Sequence, residues 1–157
     1  MKAASLHELK QELTNLPASE LINICVRLAR FKKENKELLT YLLFEAFDET
    51  AYIGLVKAEI EESFELVNTS NIYFAKKSLR KILRTVSKYI RYTGSHQAEV
   101  ELLIYYCRKL KDSGISLTRY PVINNIYQAQ LKKINKVLET MHEDLQYEYR
   151  RDLDYLD

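Results

Sequence analysis

Tryptophan is absent from this chain, and glycine, proline and cysteine are scarce: 157 residues include three glycines, two prolines and two cysteines. Hairpin turns depend on glycine and on turn-forming pairs, so this scarcity argues against a protein built from many short strands. Cys25 and Cys107 each lie among apolar residues at helical spacing, which favours two buried free thiols in a reducing compartment over a single disulfide. We therefore expect an all-α protein.

Long apolar runs are missing as well. The longest uninterrupted one, residues 102–107, is far shorter than the roughly 20 residues that a membrane-spanning helix requires. The N-terminus shows no apolar stretch of the kind that forms a signal peptide. We expect a soluble, cytoplasmic protein that does not contact a membrane. Hydrophobic residues make up 46% of the chain, which is enough for a core, and the length fits a single domain, 1–157.

Acidic residues are missing from 66–98, and seven Lys and Arg residues lie within this segment. At about 100° per residue the basic side chains fall on one side of a helix and the apolar ones on the other. The apolar side consists of Ala75, Leu79, Ile82, Val86 and Ile90. We define the basic face as Lys77, Arg80, Lys81, Arg84, Lys88 and Arg91, with Tyr73 in the same sector. The sequence thus predicts a helix that buries one side and exposes a row of cations.

Apolar residues recur at helical spacing along the remainder of the chain and predict about seven helices. Pro17 separates the first helix from the second, and the polar stretch 32–35 is predicted to connect the second to the third. Asp48 is a good N-cap, and Gly94 followed by Ser95 predicts a helix end and the beginning of the next helix. Short links favour antiparallel hairpins, arranged either as a HEAT-like right-handed array or as an irregular bundle, since no internal repeat is evident.

The C-terminal part, 123–157, is predicted to be one long helix with a tail. About thirty residues at 1.5 Å each span about 45 Å, so this helix is expected to project from the domain or to cross it. Three residues near its end, Tyr149, Leu153 and Tyr155, are candidates for an interface. They pack either on a second copy of the chain or back on its body, and the sequence favours neither.

Residues with catalytic or metal-binding potential are few. Glu139 and His142 have the Glu-x-x-His spacing of di-iron bundles, but such a site needs a second pair and two further inward glutamates. Cys107 lies on an apolar face, where a thiol stays protonated, and the three glycines do not form a phosphate-binding loop. We predict no metal, no cofactor and no catalytic residue. An enzyme remains a third hypothesis, because distant residues can converge in a fold.

Two leucines in the first helix, together with the run that follows, resemble the beginning of an uncharacterised bacterial family of small helical proteins. The residues that carry this resemblance are Leu9, Leu13 and Leu16-Pro17-Ala18-Ser19-Glu20-Leu21-Ile22. The length of the chain and its basic helix further on are similar to that family too. The resemblance covers the first two helices and implies an all-helical bacterial protein. It implies no activity and no functional residue.

Three interpretations of the basic face follow from its chemistry. It is a solvated surface that pairs with acids on neighbouring helices, or it binds nucleic acid through phosphates and a stacking tyrosine. Alternatively, it receives an acidic segment of another protein or the acidic tail of a second copy. The net charge of only +2 argues against a general polyanion binder. The sequence therefore favours a non-catalytic protein-binding or scaffolding module, with nucleic-acid binding as the alternative.

Overall fold

The computed structural model describes all 157 residues and contains eight α-helices and no strand, which confirms the predicted all-α class. The chain divides into two compact units, Met1–Phe44 and Glu45–Asp157, and the single domain expected from the sequence stays a prediction. The physical reason for this division lies in the distribution of buried side chains. Every buried apolar residue except Tyr41 lies in the second unit, so the second unit contains the hydrophobic core and the first has almost none.

The N-terminal unit contains α1 (Leu6–Thr14), α2 (Ala18–Phe31) and α3 (Lys33–Thr40), and α3 runs on into a π-helical turn, Tyr41–Glu45. α2 and α3 pack against each other. The predicted connection at 32–35 is wrong in its length, because only Lys32 leaves the helical conformation. An ion pair between Lys33 and Glu37 stabilises the first turn of α3. The polar residues of this stretch therefore belong to the helix, although their composition is typical of a connection.

The second unit contains five helices: α4 (Glu49–Glu65), α5 (Ile72–Thr93), α6 (His96–Asp112), α7 (Pro121–Leu138) and α8 (Glu143–Leu156). α6 lies at its centre and contacts the other four. Because α6 is covered from several sides, it is apolar over most of its circumference rather than along one stripe. Its buried residues are Ala98, Val100, Leu102, Leu103, Ile104, Tyr106, Cys107 and Leu110.

Helix caps predicted from the sequence are present. The side chain of Asp48 accepts a hydrogen bond from the backbone N–H of Ala51 at the beginning of α4. Gly94 ends α5 with φ of 62°, in the left-handed region that favours glycine, and Ser95 then caps α6 by accepting from the N–H of Ala98. The tight link between α5 and α6 therefore follows directly from two adjacent residues.

The prediction of one long C-terminal helix is wrong, because the chain leaves the helical conformation between α7 and α8. His142 is extended, and its Nδ1 accepts a hydrogen bond from the N–H of Asp144, which begins a new helix. Glu143 and Asp144 in the first turn favour a helix N-terminus at this point. α8 packs back on α6 within the second unit, with Tyr149 and Leu156 buried, so the tail does not project.

Candidate functional site

The apolar side of α5 is buried as predicted. Ala75 and Leu79 are fully enclosed, and Ile82, Val86 and Ile90 are nearly so. This side packs against α4 and α6, and the Tyr106 hydroxyl on α6 donates a hydrogen bond of 3.0 Å to the backbone oxygen of Leu79. The orientation of α5 is therefore fixed by its core contacts, and the basic face points away from them.

The structure exposes most of the basic face along α5. Five cations are exposed and Lys88 is half-buried; the exposed ones are Lys77, Arg80, Lys81, Arg84 and Arg91. At 1.5 Å per residue the row from the first to the last of them extends about 21 Å. The ring of Tyr73, 63% exposed, lies one turn before the row. The residues that the sequence assigned to this site thus share one surface of one rigid helix.

Ion pairs in the second unit join other helices and leave most of the basic face unpaired. Lys57 on α4 lies 3.0 Å from Glu101 on α6, and Lys133 on α7 lies 3.0 Å from Glu99 on α6. The pairs Lys109–Glu61 and Arg108–Asp152 connect α6 to α4 and to α8. No ion pair involves the five exposed cations of the face. Intramolecular pairing therefore does not neutralise the charge of these residues.

Aromatic rings lie at the ends of the basic face rather than along it. Tyr73 is in edge contact with Phe74, with ring centroids 5.5 Å apart, and the Lys76 ammonium lies 5.7 Å from the Tyr73 ring. At the other end the Tyr89 hydroxyl donates to Glu59 on α4 at 3.2 Å. The middle of the face, around Arg80 and Arg84, consequently presents charge without an adjacent stacking ring.

The candidate interface residues of the C-terminus are used within the chain. Tyr149 is buried and its hydroxyl donates to Glu101 at 3.1 Å, whereas Leu153 is half-buried. The Tyr155 hydroxyl donates to Asp112, and Arg108 lies 5.4 Å from its ring. Of the two alternatives that the sequence left open, packing back on the body is therefore the one the structure adopts.

Glu101 is a polar hub that the sequence analysis missed. It accepts hydrogen bonds from Lys57 on α4 at 3.0 Å, from Gln97 on α6 at 3.2 Å and from Tyr149 on α8 at 3.1 Å. Burial alone would raise the pKa of the Glu101 carboxyl, but its three donors together lower that pKa below its ordinary value. Only the Gln97–Glu101 spacing is visible in the sequence, since the other partners come from distant helices.

We expect Glu101→Gln to lower the free energy of unfolding by about 1.5 kcal/mol at neutral pH, because Lys57 then loses its charged partner. The folded-state pKa of Glu101 is lowered, so its contribution is complete above the unfolded-state pKa and is lost as pH falls through the folded value. The difference between variant and wild type should therefore shrink in strong acid. Urea unfolding of both proteins at about pH 7 and about pH 3 measures this difference in the free energy of unfolding.

The control for this variant is Glu148→Gln, which removes an exposed carboxylate from α8. Its stability should match that of the wild type at both pH values within about 0.5 kcal/mol. A Glu101→Gln deficit that is the same in acid and at neutral pH would contradict the electrostatic role of the carboxylate.

Residues with metal-binding or nucleophilic potential do not converge. Glu139 follows α7 and His142 caps α8, so the Glu-x-x-His pair does not lie on one helix face. No group of three or more His, Cys, Asp or Glu side chains is arranged to hold a metal ion. Cys107 is buried, and burial raises the pKa of its thiol to about 12. Cys25 is free and exposed, so its predicted burial is wrong: the apolar side of α2 on which it lies is open.

Comparisons with family models, with curated proteins and with solved structures give no match for this chain. The likeness of the first two helices to an uncharacterised bacterial family accordingly stays a prediction. Among the eight helices, none combines the length and the apolar composition that crossing a lipid bilayer requires.

Proposed function

We propose that the protein is a non-catalytic binding module whose basic face on α5 receives an acidic segment of a partner protein. The observation that carries this proposal is the row of exposed cations, Lys77, Arg80, Lys81, Arg84 and Arg91, that take part in no ion pair. Their helix is held by its buried side, so the backbone positions of the cations are fixed before a partner binds. Binding an anionic partner would therefore order few side chains beyond those of the face itself.

The spacing of the cations fits an acidic helix. Arg80 and Lys81 are adjacent, and the other successive basic residues on the face are three or four positions apart, which corresponds to about 5 Å along the helix axis. A partner helix with glutamates at the same spacing presents carboxylates with the same repeat. The acidic tail of a second copy is a poorer candidate, because α8 packs on α6 of its own chain and Asp152 already pairs with Arg108.

Nucleic-acid binding is the alternative, and the exposed ring of Tyr73 is the observation that favours it. Proteins that bind single strands combine basic grooves with successive stacking rings. Here the exposed rings of Tyr73 and Phe74 lie together at one end of a row whose centre has none. The geometry thus supports charge recognition of an acidic protein segment better than stacking of bases.

A titration by fluorescence anisotropy tests the proposal with defined probes. The first probe is a labelled helical peptide with glutamate at every third or fourth position, and the others are single-stranded and duplex oligonucleotides. We expect the peptide to bind and to lose less affinity than the oligonucleotides as salt rises to about 0.15 M, because a peptide helix releases fewer condensed counterions than a nucleic acid. Oligonucleotide binding that survives this salt while the peptide fails would overturn the proposal. So would the absence of any binding at low salt.

A further inference from the structure

Two aromatic side chains lie exposed at the beginning of α5, where the basic face starts. More than half of the surface of Tyr73 and of Phe74 is open to solvent. Their rings contact each other edge-on, with centroids 5.5 Å apart and planes at 75°. Single exposed apolar residues are ordinary on protein surfaces, whereas these two rings form one continuous patch. We call this pair of rings the aromatic notch.

The register of α5 places the aromatic notch in line with the basic face. At about 100° per residue the six cations project into a sector about 100° wide. Tyr73 falls inside this sector, and Phe74 falls about 20° beyond its edge at Lys81. The notch precedes Lys77, the first cation of the row, by about one helical turn. A segment that lies along the basic face can therefore continue directly over both rings.

The geometry of the notch favours an apolar side chain over nucleic-acid bases. Successive bases stack on aromatic faces that are free to receive them. Here the two planes are steeply inclined to each other, so the edge of one ring is turned towards the other ring. The Lys76 ammonium also lies over the ring of Tyr73, 5.7 Å from its centroid. The two inclined rings instead offer two apolar walls to one compact aliphatic or aromatic side chain.

We propose that the acidic segment that binds the basic face carries one large apolar residue, which packs into the aromatic notch. This inference rests on the function proposed for the basic face and specifies its partner further. The partner is a helix whose apolar residue, such as leucine, lies one turn beyond the glutamate that pairs with Lys77. The apolar contact adds affinity that salt does not screen. Because the notch lies at only one end of the row, it also fixes the direction of the segment on α5.

Anisotropy titration with three labelled peptides tests this inference. All three share one helix with glutamate at every third or fourth position. The plain peptide has serine at both ends, and each of the other two has one leucine, placed one turn beyond either the first or the last glutamate. We expect one leucine peptide to bind at least about fivefold tighter than the plain peptide, with a similar ratio at about 0.05 M and about 0.3 M salt. No gain from either leucine, or a gain that disappears at the higher salt, would overturn the proposal.

Two double variants locate the contact on the protein. Tyr73→Ser/Phe74→Ser removes the notch but keeps the backbone N–H groups that donate to the Asn71 side chain, so the beginning of α5 stays capped. In this variant the leucine and plain peptides should bind within about twofold of each other. The control, Phe47→Ser/Tyr147→Ser, removes one exposed phenylalanine and one exposed tyrosine elsewhere and should keep the full gain. A gain that persists without the notch contradicts the proposal.

The same titrations separate this inference from the function on which it rests. If no peptide binds the wild-type protein, the proposed function is wrong and the inference is wrong with it. If all three peptides bind equally and Arg80→Glu/Arg84→Glu/Arg91→Glu weakens them equally, the proposed function holds and the inference alone is wrong. Oligonucleotide binding that is lost in Tyr73→Ser/Phe74→Ser, without any gain from leucine, would assign the rings to bases instead.

Discussion

Replacement of Tyr106 by alanine is expected to lower the free energy of unfolding by about 4 kcal/mol, because a large and fully enclosed side chain is lost from the core. Tyr106 is 0% exposed in the centre of α6. Its ring meets Phe64 of α4 edge-on at 5.5 Å, and its hydroxyl donates to the backbone of Leu79 on α5 at 3.0 Å. Truncation removes contacts with two helices at once and leaves a cavity in the core of the second unit.

Two control variants separate the contributions to this effect. Tyr106→Phe keeps the ring and loses only the hydrogen bond, so we expect the free energy of unfolding to fall by about 1 kcal/mol. Tyr147→Ala removes a tyrosine that is 75% exposed on α8 and should change stability by less than about 0.5 kcal/mol. Urea unfolding followed by circular dichroism gives all three values. A Tyr106→Ala loss no larger than that of Tyr147→Ala would contradict the assignment of α6 as the central helix.

Reversal of three charges on the basic face should weaken binding of the acidic helical peptide about 30-fold. The variant is Arg80→Glu/Arg84→Glu/Arg91→Glu, which changes three exposed cations without breaking an ion pair of the fold. Each exposed pair is worth up to about 1 kcal/mol, so a combined loss of about 2 kcal/mol is expected. Because the substituted side chains are exposed, stability should change little. Anisotropy titration at about 0.15 M salt measures the loss.

The matched control has the same net charge but leaves α5 intact. Lys132 and Lys136 on α7 and Arg150 on α8 are exposed, and changing all three to glutamate gives the same total charge. Affinity for the peptide should fall by less than about threefold in this control. Equal losses in the two triple variants would show that the net charge of the protein, rather than the face on α5, governs binding.

The parts of the fold that could be predicted from sequence are those specified by local chemistry. The opposed apolar and basic sides of α5 follow from residues three and four positions apart, and the structure confirms the burial of Leu79, Ile82 and Val86. Gly94 ends one helix through its left-handed backbone conformation, and Ser95 begins the next because its side chain accepts a hydrogen bond from the first turn. The HEAT-like arrangement of the hairpins stays a prediction.

The features that sequence analysis missed depend on contacts with distant residues. The apolar spacing of Leu138, Met141 and Leu145 runs through 139–142 without interruption, so it could not show that His142 begins a separate helix. Cys25 is exposed because α3 packs beside it without covering it: Cys25 lines an open groove together with Leu38 and Leu39 of α3, which periodicity alone cannot indicate. Glu101 likewise acquires Tyr149 as a partner only when α8 folds back on α6.

Amide chemical-shift mapping of the protein, as the acidic helical peptide is added, shows whether the basic face on α5 is the binding surface. It locates the binding surface residue by residue and needs no substitution. We expect the largest changes in chemical shift at residues 77–91, along the exposed side of α5, and unchanged chemical shifts for the amides of α7 and α1. Saturable shifts confined to helices other than α5 would contradict it.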